Sequence, residues 1–321
     1  PVPWDGASKF KVGEVFCDTY SLPNFQPQPS STRNIAKVQI KKLEKMGYNV
    51  MSSWESEFIL MGSQEEYMPK PISNNIGFFL SGQMLKYQPF IYNLEKMMID
   101  SCVKIESLQS EYSKGQLEVT FEPVYGITSA DNLFQFKDAA KSLASQENKR
   151  ASFISKPYLD DCANGCHLNL SLQSTDGDDI VFYDDNSENN MSVVAQYWLG
   201  GLMKHTPALT ALWCPTVNCY RRLHQPWAPT VIDWGVDDRT ASFRWKSYSP
   251  GSTLIENRII SGVANPYLAL AGTIIAGIDG IKNKIPCPPE KDSSAPKLAT
   301  NLEKALINLE NDKILVDSLG D

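Results

Sequence analysis

Trp54–Met61 reads WESEFILM. Two acids stand two apart, and Phe58, Ile59 and Leu60 follow directly. The stretch predicts a strand that carries Glu55 and Glu57 on one face, because side chains alternate along a strand. Its apolar second half predicts burial. Two like charges in an interior are unfavourable unless a cation neutralises them.

Other strand-like segments carry the same kind of group. Glu111 and Glu118 bracket the turn EYSKGQLE, and Gly115–Pro123 alternates as a strand should. His167–Leu172 (HLNLSL) alternates too, with Asn169 on the face of His167. In LIENRII, Glu256 and Arg258 lie two apart on one face. Taken singly, a strand glutamate is a solvated edge or a structural ion pair, and a lone histidine is a hydrogen-bonded core residue. Their number favours a shared site. Oxygen ligands with at most one imidazole suit Mg²⁺ or Mn²⁺ better than zinc. Cys162-x3-Cys166-His167 has poor zinc spacing. Arg221, Arg222, Arg239, Arg244 and Arg258 crowd one later segment. Guanidinium forks suit phosphate or carboxylate oxygens; the alternative is ion pairing with Asp233, Asp237 and Asp238.

Around these strands the pattern is mixed. Val12–Tyr20 reads as a strand, followed by a loop rich in Pro, Ser and Gln. Thr32 or Asn34 is then placed to cap a helix whose apolar residues are Ile35, Val38, Ile40, Leu43 and Met46, with Gly47 as its stop. Further helices are expected over Tyr87–Ser101, Asp131–Ser145, Val193–His205, Pro207–Leu212, Asn265–Ile281 and Leu298–Leu309, the last followed by an acidic tail. Phe243–Trp245 and Leu254–Ile260 read as strands. Irregular interleaving argues an α+β fold rather than strict βαβ repetition. No GxGxxG fingerprint, P-loop, CxxC pair or GxSxG elbow is present.

The chain has 321 residues, 42% hydrophobic and 21% charged, which suits one large domain or two modest ones. Its net charge of −7 argues against nucleic acid or an anionic membrane surface as a partner. Seven scattered cysteines are not a disulfide framework and suit a reducing, cytoplasmic setting. The best apolar run, Leu268–Ile281, is too short for a membrane span and contains Asp279. The start, Pro1-Val2-Pro3-Trp4, is neither a signal nor a transit peptide and reads as a cut inside a longer chain.

The motifs together resemble the catalytic domain of class I glutamine synthetases, over nearly the whole length. WESEF matches the family's E-x-E-F strand, EYSKGQLE its E-x-A-P-G-Q-x-E turn, and HLNLSL its H-x-H-x-S-L. KHTPALTALWCPTVNCYRRL, DDRTASFR and ENRIISGVANPYLALAGTIIAGIDGIKNKI match its later helix, arginine and Asn-Pro-Tyr segments. VFCDTY resembles the strand that closes the family's N-terminal β-grasp domain. The resemblance therefore implies that residues 1–20 end that domain and its linker, and that 21–321 form the catalytic domain. The implied fold is a curved antiparallel sheet backed by helices, forming half of an intersubunit barrel. The implied assembly is a dodecamer of two hexameric rings.

By position, the resemblance implies that Glu57, Glu111 and Glu118 hold one divalent cation, and that Glu55, His167 and Glu256 hold a second. Arg222, Arg239, Arg244 and Arg258 match the family's arginines for glutamate and phosphoryl oxygens. The departures fall elsewhere. Trp227 stands at the flap glutamate that helps deprotonate ammonium, and an indole cannot accept that proton. Asn169 replaces the second histidine of H-x-H. Ser249–Leu254 replaces a cationic stretch on the nucleotide side, and Leu108–Glu111 replaces H-H-H-E. Losing one general base or electrostatic group costs about 10²–10⁴ in rate. These losses count against ATP binding and leave no catalytic residue, with Mg²⁺ or Mn²⁺ retained. The resemblance is strongest to a lens-fibre branch of the family, which implies a structural or chaperone-like role beside cytoskeletal intermediate filaments. Two alternatives stay open: a ligase that uses an amine other than ammonia, with Trp227 packing on it, and a small-molecule sensor without chemistry. Glu106 or Glu122 also stays open as a substitute base.

Overall fold

Residues 13–63, 69–74, 76–177, 179–223, 225 and 227–320 are described, from a computed structural model. The expected strand over Val12–Tyr20 is not formed. Val12 lies outside the described residues, and 13–19 carry no ladder. Only β1 (Tyr20–Ser21) pairs, with β2 (Gln26–Pro27). Val15 and Cys17, which would be its apolar face, point to solvent, while Asp18 is held by Arg33 and Lys37.

Those two bases belong to helix α1 (Thr32–Glu44). Its cap is Ser31, not Thr32 or Asn34: the Ser31 hydroxyl accepts from the Asn34 backbone N–H. Gly47, at φ +87, turns the chain into β3 (Tyr48–Met61). Helix α2 (Ser81–Asp100) and strands β4 (Ile105–Ser110), β5 (Gln116–Phe121) and β6 (Val124–Tyr125) follow. Then come α3 (Thr128–Gln146), β7 (Arg150–Ser152) and β8 (Cys166–Ser174). Helix α4 (Val193–Trp213) leads to β9 (Trp234–Val236), β10 (Phe243–Ser247) and β11 (Thr253–Asn257). Helices α5 (Pro266–Asn283), α6 (Leu302–Asn311) and α7 (Lys313–Leu319) close the chain.

Two helical expectations need correction. Val193–His205 and Pro207–Leu212 form one helix, α4, which runs through Pro207. An interior proline costs about 3 kcal/mol. Burial of Leu202, Thr206, Leu209 and Thr210 outweighs it, and the two threonine hydroxyls donate back to carbonyls one turn earlier. The acidic tail is also helical: Asn301 caps α6, and Asp312 caps α7 while binding His205 Nδ1 at 2.5 Å.

The large sheet runs β4-β5-β3-β8-β11-β10-β9, with β6 and β7 also paired to β3. It is antiparallel as expected, except that β9 runs parallel to β10. The loop 237–242 doubles back between them, held by Asp238 on Thr240 and Asp233 on the Ser242 N–H. On β3 the alternation holds. Glu55 and Glu57 share one face. On the other, Phe58 is fully buried among Phe90, Phe136 and Phe153, with ring centroids 6.5, 5.9 and 5.3 Å away. Helix α4 lies directly on α5 because both lack side chains where they cross. A Cβ on Gly201 would sit 2.1 Å from the Ala276 carbonyl oxygen, and one on Gly280 would sit 2.0 Å from that of Tyr197. Among the described residues, no helix is long and apolar enough to cross a membrane.

Candidate functional site

Strand register assembles the site. Glu57 stands opposite Glu118, and Glu55 opposite His167. Glu256 stands opposite Asn169 on one side and Arg244 on the other. A row of polar groups therefore crosses β5, β3, β8, β11 and β10 on one face of the sheet.

The acidic end of the row is Glu57, Glu111 and Glu118. Gln109 donates to Glu118 at 2.7 Å and to Glu111 at 3.2 Å. Glu57 accepts from the Gln116 amide at 3.0 Å and from the Gly165 N–H at 2.8 Å. Among the described residues no lysine or arginine pairs with these three carboxylates. Burial, then the Glu57 charge, pushes Glu111 up to about 7. Burial and the charges of Glu55, Glu57 and Glu111 also hold Glu118 well above the usual carboxylate range. An uncompensated negative cluster in an interior is what a divalent cation neutralises, so these residues suit one by charge, although among the described residues only Glu55, His167 and Glu256 bring their ligand atoms within 4.8 Å of one another.

The other end is Glu55, His167 and Glu256, whose ligand atoms all lie within 4.8 Å of one another. His167 Nδ1 is 3.2 Å from Glu256 Oε1 and 3.4 Å from Glu55 Oε2. Here the acids are already paired. Arg258 reaches Glu256 at 2.6 Å, Arg244 at 3.1 Å and Lys246 at 2.7 Å. Lys246 also approaches Glu55 at 3.4 Å. Burial opposes ionisation of Glu55, but the His167 hydrogen bond and Lys246 win and hold it at about 2. Glu256 is held down for the same reasons. Burial and Arg258 oppose protonation of His167, yet its bonds to Glu256 and Glu55 raise its pKa. The donor set has the geometry of a cation site, but its charge is already met.

The ordinary alternative to ligand-binding arginines, ion pairing, thus holds in part. Arg244 pairs with Asp237, at 2.8 Å through Nε, as well as with Glu256. Arg222 is buried and donates to the carbonyls of Ile259 and Arg258 at 2.8 and 2.7 Å. Arg258 Nε is buried without a partner. Arg239 lines the cavity but is exposed, and so is Arg221 outside it.

A cavity of about 300 Å³ opens over the row, with Glu57, Glu111, Arg222, Arg239 and Arg258 in its wall. Its mouth is aromatic. Phe78 contacts Tyr112, Phe79 and Trp227 with centroids 5.3, 6.3 and 6.3 Å apart. Trp227 is 61% exposed. Glu106 and Glu122 do not line this cavity; Glu122 pairs with Lys104 on the surface at 3.2 Å. Gln109, Gln116 and Lys246 are site residues that the sequence did not single out, whereas Asp237 was expected as an ion-pair partner. Lys246 had an available signal, since it lies two residues from Arg244 on the same strand face.

The glutamine synthetase catalytic-domain family matches residues 29–321. The chain belongs to the glutamine synthetase family. Human lengsin is 32% identical over 333 residues, covering all of this chain and 63% of that protein. Rat lengsin is 31% identical, covering 97% of this chain and 56% of that protein. The glutamine synthetase of Pyrococcus furiosus is 32% identical over all of this chain and 73% of its own length. The chain therefore spans little more than half the length of several lengsins it matches. Among solved structures, a GmaS–ADP complex superposes with a TM-score of 0.85 at 29% identity, covering 92% of this chain and 71% of that one. A novel glutamine synthase homolog gives 0.82 at 28%, covering 92% and 68%. The expected family and its catalytic fold are borne out, with a sheet that is open rather than closed.

Proposed function

We propose that this chain is the catalytic-domain part of a glutamine synthetase-family protein that no longer makes glutamine and serves a structural or chaperone-like role. The carrying observation is Trp227: an exposed indole, packed edge-on to Phe78, stands where the family's ammonium-handling carboxylate is expected. The likeness to lengsins supports placing the role in lens fibre cells, in the cytoplasm and beside intermediate filaments. Residues 1–20 would end a β-grasp domain, the open sheet would complete half of an intersubunit barrel, and the assembly would be a dodecamer of two hexameric rings.

Within this reading Glu57, Glu111 and Glu118 hold one Mg²⁺ or Mn²⁺, and Glu55, His167 and Glu256 form the second family position. Bound there, a divalent cation supplies positive charge to anionic ligand oxygens. The side chains do the rest: Gln109 and Gln116 orient the carboxylates, Arg222 and Arg258 present charge to an anion, and the aromatic mouth limits water. The experiment is calorimetric titration of Mn²⁺-ATP into the full-length oligomer, paired with glutamate-dependent ADP release. Cation binding without nucleotide heat or turnover is expected. Glutamate-dependent turnover would sink the proposal.

A second reading keeps ligase activity with an amine other than ammonia. The same mouth favours it, since Phe78, Tyr112 and Trp227 offer an apolar amine a surface, and a similar structure holds ADP. Micromolar Mn²⁺-ATP affinity followed by turnover in an amine panel would establish it.

A further inference from the structure

We infer that Lys246 is the resident cation of the Glu55–His167–Glu256 position, so that this position is filled from within the chain and does not recruit a divalent metal. The inference rests on the cation reading above and divides it: the chain holds one metal per site where two clusters of ligands stand.

The geometry is that of a bound ion. Glu55 and Glu256 are bridged on one side by the His167 imidazole, through Glu55 Oε2 and Glu256 Oε1. On the other side the Lys246 ammonium bridges their remaining oxygens, Glu55 Oε1 at 3.4 Å and Glu256 Oε2 at 2.7 Å. The Asn169 side chain completes the shell. Its amide donates to Glu55 Oε1 at 2.8 Å, and its oxygen faces the ammonium at 3.4 Å. That orientation suits an ammonium, which donates only. The Lys246 side chain is 14% exposed, so the charge is well inside the protein.

Charge balance points the same way. Asp237 takes the outer side of the Arg244 guanidinium, so Glu55, Glu256 and Asp237 meet Arg244, Lys246 and Arg258 one for one. A divalent ion added here would face three cations, and neither Glu55 nor Glu256 has charge left unpaired to offset it. At Glu57, Glu111 and Glu118 the case is reversed, since among the described residues those three acids meet amides and backbone N–H groups and no lysine or arginine. A tethered ammonium also needs no capture from solution, so it competes without the translational cost a free ion meets.

The pull of β10 explains why this lysine arrives. Arg244 opposes Glu256 in the ladder, and Lys246, two residues on, projects from the same face toward the same acid. The sequence element is therefore R-x-K on one strand against a single buried glutamate of the next.

The test counts Mn²⁺ bound to the full-length protein by calorimetry and by loss of the free-ion paramagnetic signal. The wild type is expected to take up about one equivalent per chain, and Lys246→Ala about two, a roughly twofold gain. Lys246→Arg should stay at about one, because the charge remains. A wild type that binds two, or a Lys246→Ala that gains none, overturns the inference while the cation reading stands. A wild type that binds none while Lys246→Ala gains one keeps the inference and overturns the reading of the Glu57 cluster. Should the alanine variant not fold, anomalous diffraction from wild-type crystals soaked in manganese chloride decides. A peak among Glu57, Glu111 and Glu118 alone supports the inference, and a peak among Glu55, His167 and Glu256 refutes it.

Discussion

Glu57 and Glu118 face each other directly across the β3–β5 ladder, two carboxylates in one cross-strand pair. Like charges so placed are destabilising by roughly 0.2–1 kcal/mol even on an exposed sheet. Glu118 is also nearly buried. Glu118→Gln should therefore raise the melting temperature of the metal-free protein by about 1–2 °C, about what 1 kcal/mol gives in a chain of this length. It should also weaken Mn²⁺ binding. A variant that melts lower in EDTA would show that the pair is neutralised by some other means.

The same acids set a pH dependence. Glu111 titrates near 7 in the folded chain against about 4.5 when unperturbed, because burial and Glu57 disfavour its charge. Between those values the native state holds a proton that the unfolded state has released. Metal-free stability should thus fall as pH rises from about 4.5 to about 7. Excess Mn²⁺ should flatten that limb. Glu55, held at about 2, acts in the opposite sense: its contribution is present above the unfolded value and is lost as pH falls toward 2. Melting curves across this range, with EDTA and with Mn²⁺, check both; a flat EDTA profile from about pH 5 to about 7 would contradict the first.

Gly165 carries another prediction. A Cβ there would stand 2.7 Å from His167 Nε2 and 2.9 Å from Arg222 Nη2, and its N–H holds Glu57 at 2.8 Å. Gly165→Ala should push the loop off the sheet and loosen that carboxylate. The expected losses are about 1–3 kcal/mol of stability and about 10–100-fold in Mn²⁺ affinity. Unchanged affinity in a folded variant would show that the Gly165 N–H does not position Glu57.

Phe58 tests the frame beneath the site. It is fully buried beside Phe90, Phe136 and Phe153, on the strand that bears Glu55 and Glu57. Phe58→Ala should cost about 3–5 kcal/mol, read as a lower urea midpoint with an unchanged slope. A cost below about 1 kcal/mol would mean that the aromatic cluster repacks and does not anchor β3.

Much of this was legible because strands alternate. Glu55 with Glu57, His167 with Asn169, and Glu256 with Arg258 were each placed on a common face from spacing alone. The first two pairs lie on one face of the sheet, while β11 stops at Asn257, short of the expected Ile260, and Arg258 reaches Glu256 from just beyond its end. What spacing cannot give is register between strands far apart in sequence. Nothing local says that Glu57 meets Glu118, or that Arg244 and Lys246 converge on Glu256; resemblance supplied the first and missed Lys246. Pro207 misled because a local breaker signal was outweighed by burial against α5. Strand β4, IESLQS, carries too few apolar residues to announce itself, and its neighbour β5 holds it in the sheet. Val12–Tyr20 failed for the converse reason: it has the pattern of a strand, but among the described residues only its last member, Tyr20, finds a ladder partner.

The aromatic mouth has an optical consequence. Of seven tryptophans, Trp4 lies outside the described residues. Trp54, Trp198, Trp213 and Trp245 are sealed in the core, Trp234 is nearly so, and Trp227 alone among the described ones is open to water. Acrylamide or iodide will therefore quench one indole selectively, and red-edge excitation will isolate its emission. Any molecule that enters between Trp227 and Phe78 will announce itself as a blue shift and a loss of quenching, with no label attached.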